Sequence, residues 1–517
     1  TYIFIIALRA TKSILATESF IMGNSKNPVI NSRSFGSDRD NVTQKAIAYM
    51  MGMEDNGLMA CAKHFPGHGD TETDSHLALP IINHSVATLD SIDLYPFKRL
   101  IESGISSVMI AHLFVPALDT TRNRPSSLSN AIVQDLLRKK LNFNGLIITD
   151  ALDMKGVSKF YKPGECELAA LIADNDILLL PVDPEIAIKT IKNAVDSCLI
   201  SEELITSKCL KVLRYKEHFK INECFEIPTQ NLIEDLNPES TKHLVRELTE
   251  ASITVLGNKT NALPLTSTDY TTHATLAIGS ENTNKFQQTL SIYSRSSHFN
   301  FAPNFDYKQS DSILNVLSKY STVIVSIHNT SQLPQRGYGV SDESIKFIDT
   351  LSKRTKVILS VFGNPYILEK LPSTGNYPVI VEAYQPTLMA EESAAQVIMG
   401  SNRANGRLSV NVSNELSAGA GTNTSTIGRM SITEPAQFDL PEYYFKKIDS
   451  IVKRAIKLRV FPGCQIAIAY RGQLIINKSY GTPTYIDKSP VENTDIYDLA
   501  SVTKTLSTTL AVMKLYE

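Results

Sequence analysis

Apolar runs alternate with helical segments through the first half of the chain. The recurrence of apolar residues such as Ala46, Met50 and Met53 predicts a helix over 40–57. A second amphipathic helix is predicted to begin at Ser129, a residue type that commonly caps helices. Short apolar runs between these segments are typical of buried strands, and they occupy residues 58–62, 105–111, 146–149 and 176–180.

Strands and helices that alternate in this way form parallel sheets with both faces covered. Polar residues follow three of the strands directly, namely Lys63 with His64, then His112, then Asp150. Such positions meet at the carboxyl edge of the sheet, where α/β proteins place their sites. The predicted fold class is α/β, with an incomplete (β/α) TIM-like barrel over 1–247. Four predicted strands fall short of the eight that close such a barrel, so we expect N-terminal strands to be missing.

The strand pattern begins again after the predicted barrel. Residues 248–412 are predicted to form an α/β sandwich domain, in which bland packing is the expected role because no catalytic cluster stands out. Residues 413–437 are rich in Ser, Thr, Gly and Ala without periodicity, which is typical of a linker. The buried strands of the sandwich domain are predicted at 254–256, 275–278, 321–327 and 357–362.

Composition narrows the class of protein. The chain has 517 residues, of which 43% are hydrophobic and 20% charged, so it can bury real cores. Its length predicts about three domains. A formal net charge of −2 and the lack of basic runs argue against nucleic acid as a partner. The six cysteines include no Cys-x-x-Cys pair and are too sparse for a disulfide scaffold.

Both ends of the chain predict an internal fragment of a longer protein. The first residue is Thr1 rather than Met, and the apolar run at 2–8 is too short to span a membrane. This run also lacks the basic start and the cleavage site of a signal peptide. The last residues, LAVMKLYE, follow a helical pattern without a stop signal.

The segment CAKHFPGHGDTETDSHLALP, at 61–80, carries the densest group of reactive side chains. One residue separates Asp74 from His76, so the carboxylate can orient the imidazole and raise its pKa toward that of a proton shuttle. A polar surface loop is the plainer interpretation of this pair. Asp150, at the end of a strand, could cap the next helix or act as a nucleophile. Asp153 lies one turn further on and is the weaker candidate.

His64 and His68 are four residues apart, a spacing that in H-E-x-x-H motifs binds zinc from one face of a helix. Pro66 and Gly67 lie between the two histidines and make a helix there implausible. The sequence therefore predicts neither a metal site nor a cofactor.

Three separate motifs resemble glycoside hydrolase family 3 β-N-acetylglucosaminidases. They are NPVINSRSFGSD at 27–38, KHFPGHGDTETDSH at 63–76 and LIITDALDMKGV at 146–157, in the same order and spacing as in the family. The resemblance covers roughly residues 24–250. Its Lys-His-x-x-Gly-His stretch followed by Asp-x-His is characteristic of the N-acetylglucosaminidase branch of the family, as opposed to the β-glucosidase branch. Two departures stand out: an Asp that grips the sugar from an earlier strand has no counterpart, and residues 1–22 do not match the family's strand before NPVI.

The resemblance implies a retaining mechanism with Asp150 as nucleophile and His76 as general acid/base, partnered by Asp74. It further implies that three residues hold the sugar hydroxyls and the N-acetyl group, namely Arg33, Lys63 and His64. An imidazole in place of the usual second carboxylate lowers the negative charge near the acceptor. Hydrolysis and phosphorolysis are therefore both compatible with these residues.

The last segment, 438–517, brings a second signal. Residues 464–481 predict a hairpin that turns at Arg471-Gly472. Ser501 and Lys504 follow in an S-x-x-K arrangement, in which the amine can deprotonate the hydroxyl, although many helices contain this pattern by chance. Together these elements resemble the start of β-lactamase and penicillin-binding-type serine hydrolases. No activity of that kind is expected from a truncated domain.

Three functions remain in competition at this stage. The leading hypothesis is a β-N-acetylhexosaminidase that removes terminal β-linked N-acetylglucosamine, with peptidoglycan fragments as the favoured substrate. The second is a serine esterase or peptidase whose first domains bind glycan, and the third is a non-catalytic wall-binding protein. Asp150 and the Asp74–His76 pair favour the first hypothesis, because a pure binder needs neither a nucleophile nor a proton shuttle. A periplasmic or cell-surface location follows only from the presumed substrate.

Overall fold

The first sheet is parallel and carries the motif residues at one edge. In this computed structural model, the described residues are 15–18, 27, 30–71, 78–221, 229–258, 261–266, 273–303, 305–306 and 310–517. Over these ranges the first sheet has four strands, in the order β1, β2, β3 and β4, all parallel. Their bounds are Leu15–Glu18, Ala60–Phe65, Ser107–Ile110 and Leu146–Thr149.

The helix that precedes β2 shows how the sequence encodes this layer. It runs from Arg39 to Glu54 and begins at Asp38, whose carboxylate accepts a hydrogen bond of 2.8 Å from the backbone N–H of Asn41. Its buried face contacts the sheet through residues spaced at helical intervals. The expected helix at 40–57 is therefore confirmed, with Asn56-Gly57 in the turn beyond its end. The buried residues of the helix are Val42, Thr43, Ala46, Met50 and Met53.

Two predictions for this sheet need correction. The run at 176–180, predicted as a strand, makes a single bridge between Ile177 and Ile148. The reason is that the Asp176 carboxylate accepts a hydrogen bond of 2.8 Å from the backbone N–H of Ile147, a group that a continuing ladder would use. Conversely, β1 lies within residues 1–22, where no strand was predicted, and it pairs with β2.

A second sheet follows, and the described residues give it six strands in the order β5, β10, β9, β8, β6 and β7. The β5–β10 pair is antiparallel and the other pairs are parallel, as in doubly wound α/β folds. The predicted strands β5, β6, β8 and β9 are confirmed, whereas β7 and β10 were not foreseen. The bounds of β5 to β10 are Thr254–Gly257, His273–Ile278, Ser297–Phe301, Thr322–Ile327, Lys356–Val361 and Val379–Glu382.

The last segment contains the predicted hairpin. Strands β12 (Gly463–Tyr470) and β13 (Gln473–Gly481) are antiparallel, and β11 (Ser431–Ile432) pairs with β13. Both turn residues, Arg471 and Gly472, have positive φ angles of 49° and 79°. Such a two-residue turn matches the twist of a hairpin, so this prediction is confirmed.

Helices cover both sheets. The α-helices of six or more residues over the described ranges are Arg39–Glu54, Tyr95–Glu102, Glu165–Ile172, Pro184–Asp196, Glu202–His218, Glu239–Ser252, Lys285–Tyr293, Ser310–Leu317, Asp342–Ser352, Leu388–Met399, Glu442–Lys457 and Val502–Tyr516. Ala131–Lys140 is π-helical, and shorter helical turns lie at Asn31–Arg33, Val86–Thr88, Leu89–Asp93, Ser126–Leu128, Lys155–Ser158, Leu232–Leu236, Pro334–Gly339, Pro365–Lys370, Thr374–Asn376 and Pro435–Phe438. None of the described helices combines the length and the apolar character that a membrane span requires.

The segment around Asn31 joins the first domain to the second sheet. Ile30 is fully buried in the core of that sheet, and burial of such a side chain contributes about 2 kcal/mol. The Asn31 side chain donates to the Tyr338 hydroxyl over 3.2 Å and accepts from the Asn364 amide over 2.5 Å. Ile30 and Asn31 are therefore held by residues that surround the second sheet.

Candidate active site

The polar residues that end the strands of the first sheet come together at its carboxyl edge. His64 belongs to β2, His112 follows β3, and Asp150 follows β4. The Nε2 atom of His64 lies 3.5 Å from Oδ2 of Asp150. Parallel strands explain this meeting, because they bring their carboxyl ends to one side of the sheet.

Asp150 is fixed by its backbone and remains open at its side chain. Its N–H donates to the Ile110 carbonyl over 2.9 Å, and its Oδ1 accepts from the N–H of Ala151 over 2.9 Å. The side chain keeps 17% of its surface exposed, so its oxygens can reach a ligand. Asp153, the weaker candidate, has an exposed side chain.

His64 is held in its neutral form. Only 8% of its side chain is exposed, and this burial is the main reason why its pKa lies well below the usual 6.5. The positive charges of Lys63 and Arg33 lower that pKa further. A neutral imidazole beside Asp150 can donate or accept a hydrogen bond without adding positive charge to the site.

His112 is a site residue that sequence reasoning noted only as the end of a strand. It is fully buried; its Nδ1 lies 2.8 Å from the Ser127 hydroxyl, and its Nε2 lies 2.9 Å from the Ala151 carbonyl. Burial lowers its pKa, although the Asp150 charge opposes this. Because the carbonyl can only accept, the neutral ring carries its proton on Nε2 and accepts from Ser127 at Nδ1. His112 thus holds the backbone beside Asp150, and its place after a buried strand was the available signal.

The turn after β2 is tied to the first motif. Asn27 is fully buried, and its amide donates to the carbonyls of His68 over 2.9 Å and Gly69 over 3.3 Å. It also donates to the Thr71 hydroxyl, which lies 2.8 Å from Nδ1 of His68. Asn27 therefore ties the start of the first motif to the turn at 68–71.

Of the remaining predicted site residues of the first domain, two are described in the structure and two are not. Lys63 is half-buried in β2, and Arg33 is exposed yet close enough to His64 to lower its pKa. Asp74 and His76 lie outside the described residues. Among the residues that are described, no group of three or more His, Cys, Asp or Glu side chains could hold a metal ion.

Ser501 and Lys504 are adjacent in the last segment. The Lys504 amine lies 3.2 Å from the Ser501 hydroxyl, at the start of the helix Val502–Tyr516. Both side chains are exposed.

Known proteins are similar to this chain in sequence and in fold. Residues 21–215 match the family model described as the glycosyl hydrolase family 3 N-terminal domain. This stretch includes His64, His112 and Asp150 of the carboxyl edge described above.

Individual relatives narrow the comparison. Beta-hexosaminidase A from Pseudoalteromonas piscicida is 30% identical over 296 residues, which cover 54% of this chain and 49% of that protein. A beta-hexosaminidase from Methylobacillus flagellatus is 36% identical over 172 residues, or 33% of this chain and 48% of that protein. The chain thus spans about half the length of these relatives.

A solved structure extends the likeness beyond the first domain. The glycoside hydrolase family 3 beta-N-acetylglucosaminidase from Paenibacillus sp. strain FPU-7 superposes with a TM-score of 0.64 at 27% identity. The match covers 79% of this chain and 78% of that chain, so the two share a mixed α/β fold with parallel sheets.

Proposed function

We propose that this chain is a retaining β-N-acetylhexosaminidase that removes terminal β-linked N-acetylglucosamine. The observation that carries the proposal is the accessible Asp150 carboxylate 3.5 Å from His64, within the stretch that matches family 3. The relatives named beta-hexosaminidase support the same substrate class.

The reaction has two steps. The Asp150 carboxylate attacks the anomeric carbon and forms a glycosyl-enzyme ester, while His76 donates its proton to the leaving oxygen. His76 then takes a proton from the incoming water, which cleaves the ester and restores the Asp150 carboxylate. Asp74 orients His76, and Arg33, Lys63 and His64 bind the hydroxyls and the N-acetyl group of the sugar.

The proposal includes a domain division. Residues 1–247 form an incomplete TIM-like barrel, 248–412 an α/β sandwich, 413–437 a linker, and 438–517 the start of a β-lactamase-like domain. Leu416, a described residue of the proposed linker, is buried in the sandwich core, so this part of the linker packs against the sandwich domain. The natural substrate is proposed to be a peptidoglycan fragment, which places the protein in the periplasm or at the cell surface.

The direct test is release of nitrophenol from a nitrophenyl N-acetyl-β-glucosaminide by the chain and two matched variants. Asp150→Ala is expected to abolish release, whereas Asp153→Ala is expected to retain it because Asp150 is the carboxylate that pairs with His64. Activity that survives in Asp150→Ala contradicts the assignment of the nucleophile. Added phosphate separates the two acceptors, since phosphorolysis yields a sugar phosphate and hydrolysis yields the free sugar.

The second candidate function is a serine hydrolase, and the 3.2 Å contact between Lys504 and Ser501 favours it. In that case a reactive ester or β-lactam would acylate Ser501 in the full-length protein. Ser501→Ala would abolish that labelling and leave glycosidase activity unchanged.

A further inference from the structure

His84 lies between two carboxylates outside the residues assigned to catalysis. Its Nε2 is 2.8 Å from Oδ2 of Asp70, and its Nδ1 is 2.8 Å from Oδ2 of Asp93. Ionised carboxylates only accept hydrogen bonds, so both ring nitrogens must carry protons for both contacts to form. With both carboxylates ionised, this geometry requires an imidazolium.

Both carboxylates contact the turn that follows His64. Asp70 belongs to that turn and comes two residues after His68, whose carbonyl binds Asn27. Asp93 packs closely against Gly67, which lies within the same turn. A Cβ atom added to Gly67 would lie only 2.7 Å from the Cβ of Asp93. Gly67 also has a φ of +136°, which side chains rarely adopt.

We propose that His84 is a positioning residue for the hexosaminidase reaction, which holds the turn 65–71 through Asp70 and Asp93. This inference rests on the proposed function, in which His64 and the residues after the turn act on the sugar. The role is positional, because the contacts of His84 are with the turn and with the Leu89–Asp93 helical segment rather than with Asp150.

The surrounding charges favour the protonated ring. The pKa of His84 is raised above its usual 6.5, because the hydrogen bonds and charges of Asp93 and Asp70 outweigh partial burial. Burial raises the pKa of Asp93, and its bond to His84 opposes that rise. Asp90, on the same helical segment as Asp93, is paired with Lys98 over 2.7 Å and does not compete for His84.

The sign of the pH dependence follows from this shift. A raised pKa means that both bonds are present below the usual 6.5 and are lost as the pH rises through the raised value. The neutral ring then presents a lone pair to one carboxylate, and one anchor of the turn is lost. Loss of this anchor should therefore weaken catalysis on the alkaline side.

The test compares pH profiles of kcat and KM for the full chain and for His84→Gln, with His243→Gln as the matched control. His243 is paired with Glu247 on a helix beside the second sheet and is assigned no part in the site. We expect His84→Gln to lower kcat/KM about tenfold, since small displacements of a site are costly. It should also remove the part of the alkaline loss that His84 adds to the loss caused by deprotonation of the proposed acid His76. His243→Gln should keep the wild-type profile.

Asp70→Asn gives an independent readout, should His84→Gln fail to fold. Loss of one carboxylate should move the alkaline limb to lower pH without abolishing activity. The inference is overturned if activity in Asp70→Asn falls at the same alkaline pH as in the wild type. It is also overturned if His84→Gln keeps the wild-type pH profile.

Hydrogen exchange of the backbone amides in 65–71 separates this inference from the proposed function. Faster exchange in His84→Gln than in His243→Gln supports the role of His84 in holding the turn, whether or not the wild-type chain is active. An inactive wild-type chain would overturn only the hexosaminidase assignment. Equal exchange in both variants would overturn the hold itself.

Discussion

The first sheet and the parallel part of the second sheet have the same kinds of residue at their carboxyl edges, but these residues differ in their access to solvent. At the first edge, Asp150 keeps an exposed face and has neutral His64 beside it. At the second edge, His328 lies 3.2 Å from Glu391, whose other oxygen accepts from the N–H of Phe286. The comparison teaches that topology supplies an edge suited to a site, while accessibility of the carboxylate decides whether chemistry can occur there.

The adjacent residue, Glu392, is also inaccessible to a substrate at the second sheet. It is buried and lies 2.7 Å from both Arg246 and Lys285, so its charge is neutralised within the protein. Such a carboxylate has no free oxygen for a substrate. The second domain is accordingly expected to act as a scaffold.

The largest expected effect comes from matched amide substitutions at the two edges. Asp150→Asn should lower kcat on the order of a thousandfold or more, because it removes the proposed nucleophile. Glu391→Gln should change kcat by less than about twofold, since its partners lie within the second domain. Steady-state kinetics on an aryl N-acetylglucosaminide decide this, and equal losses in the two variants would remove the distinction between the edges.

The next effect concerns stability and should appear only at the second edge. Arg246→Met leaves Glu392 without one of its two cations, and breaking a buried pair costs about 3 kcal/mol. Urea unfolding of the full chain should show this loss, while kcat remains unchanged. A variant as stable as the wild type would mean that Lys285 alone is sufficient.

A smaller effect follows from the buried imidazoles of the first edge. His64 and His112 have pKa values below 6.5, so the unfolded chain binds more protons than the folded chain as the pH falls through 6.5. Their contribution makes the free energy of unfolding fall with decreasing pH in that window. His112→Gln should flatten this slope, which urea titrations above and below that pH would reveal.

The smallest effect tests the helix that supports the first edge. Asp38→Ala removes the side chain that caps the helix Arg39–Glu54 and should cost about 1 kcal/mol. Asp40→Ala is the control, because that residue lies in the first turn without capping it. Thermal unfolding of both variants measures the difference, and equal midpoints would contradict the capping role.

The elements of the fold that depend on the local pattern of apolar and turn residues could be predicted from the sequence. The strand Leu146–Thr149 and the position of Asp150 follow from an apolar run after Asn144-Gly145, and the hairpin turn follows from Arg471-Gly472. The run at 176–180 misled the prediction, because the role of Asp176 depends on a backbone group that is distant in sequence. Strand β1 carried no alternation that could reveal it.

The candidate site was predictable where motif and strand end coincide, as at His64 and Asp150. His112 and His84 were not identified as site residues, because the significance of a lone histidine depends on partners from other elements. The partners of His84 are 14 and 9 residues away, and no spacing rule connects them.

The central claim is that Asp150 forms the glycosyl-enzyme. The most direct measurement is mass spectrometry of the chain after reaction with a fluorinated N-acetylglucosaminyl fluoride, which forms the ester faster than water cleaves it. The account predicts one added sugar, located on the peptide that contains Asp150 and absent from Asp150→Asn. A sugar located on another carboxylate, such as Asp153, would contradict it.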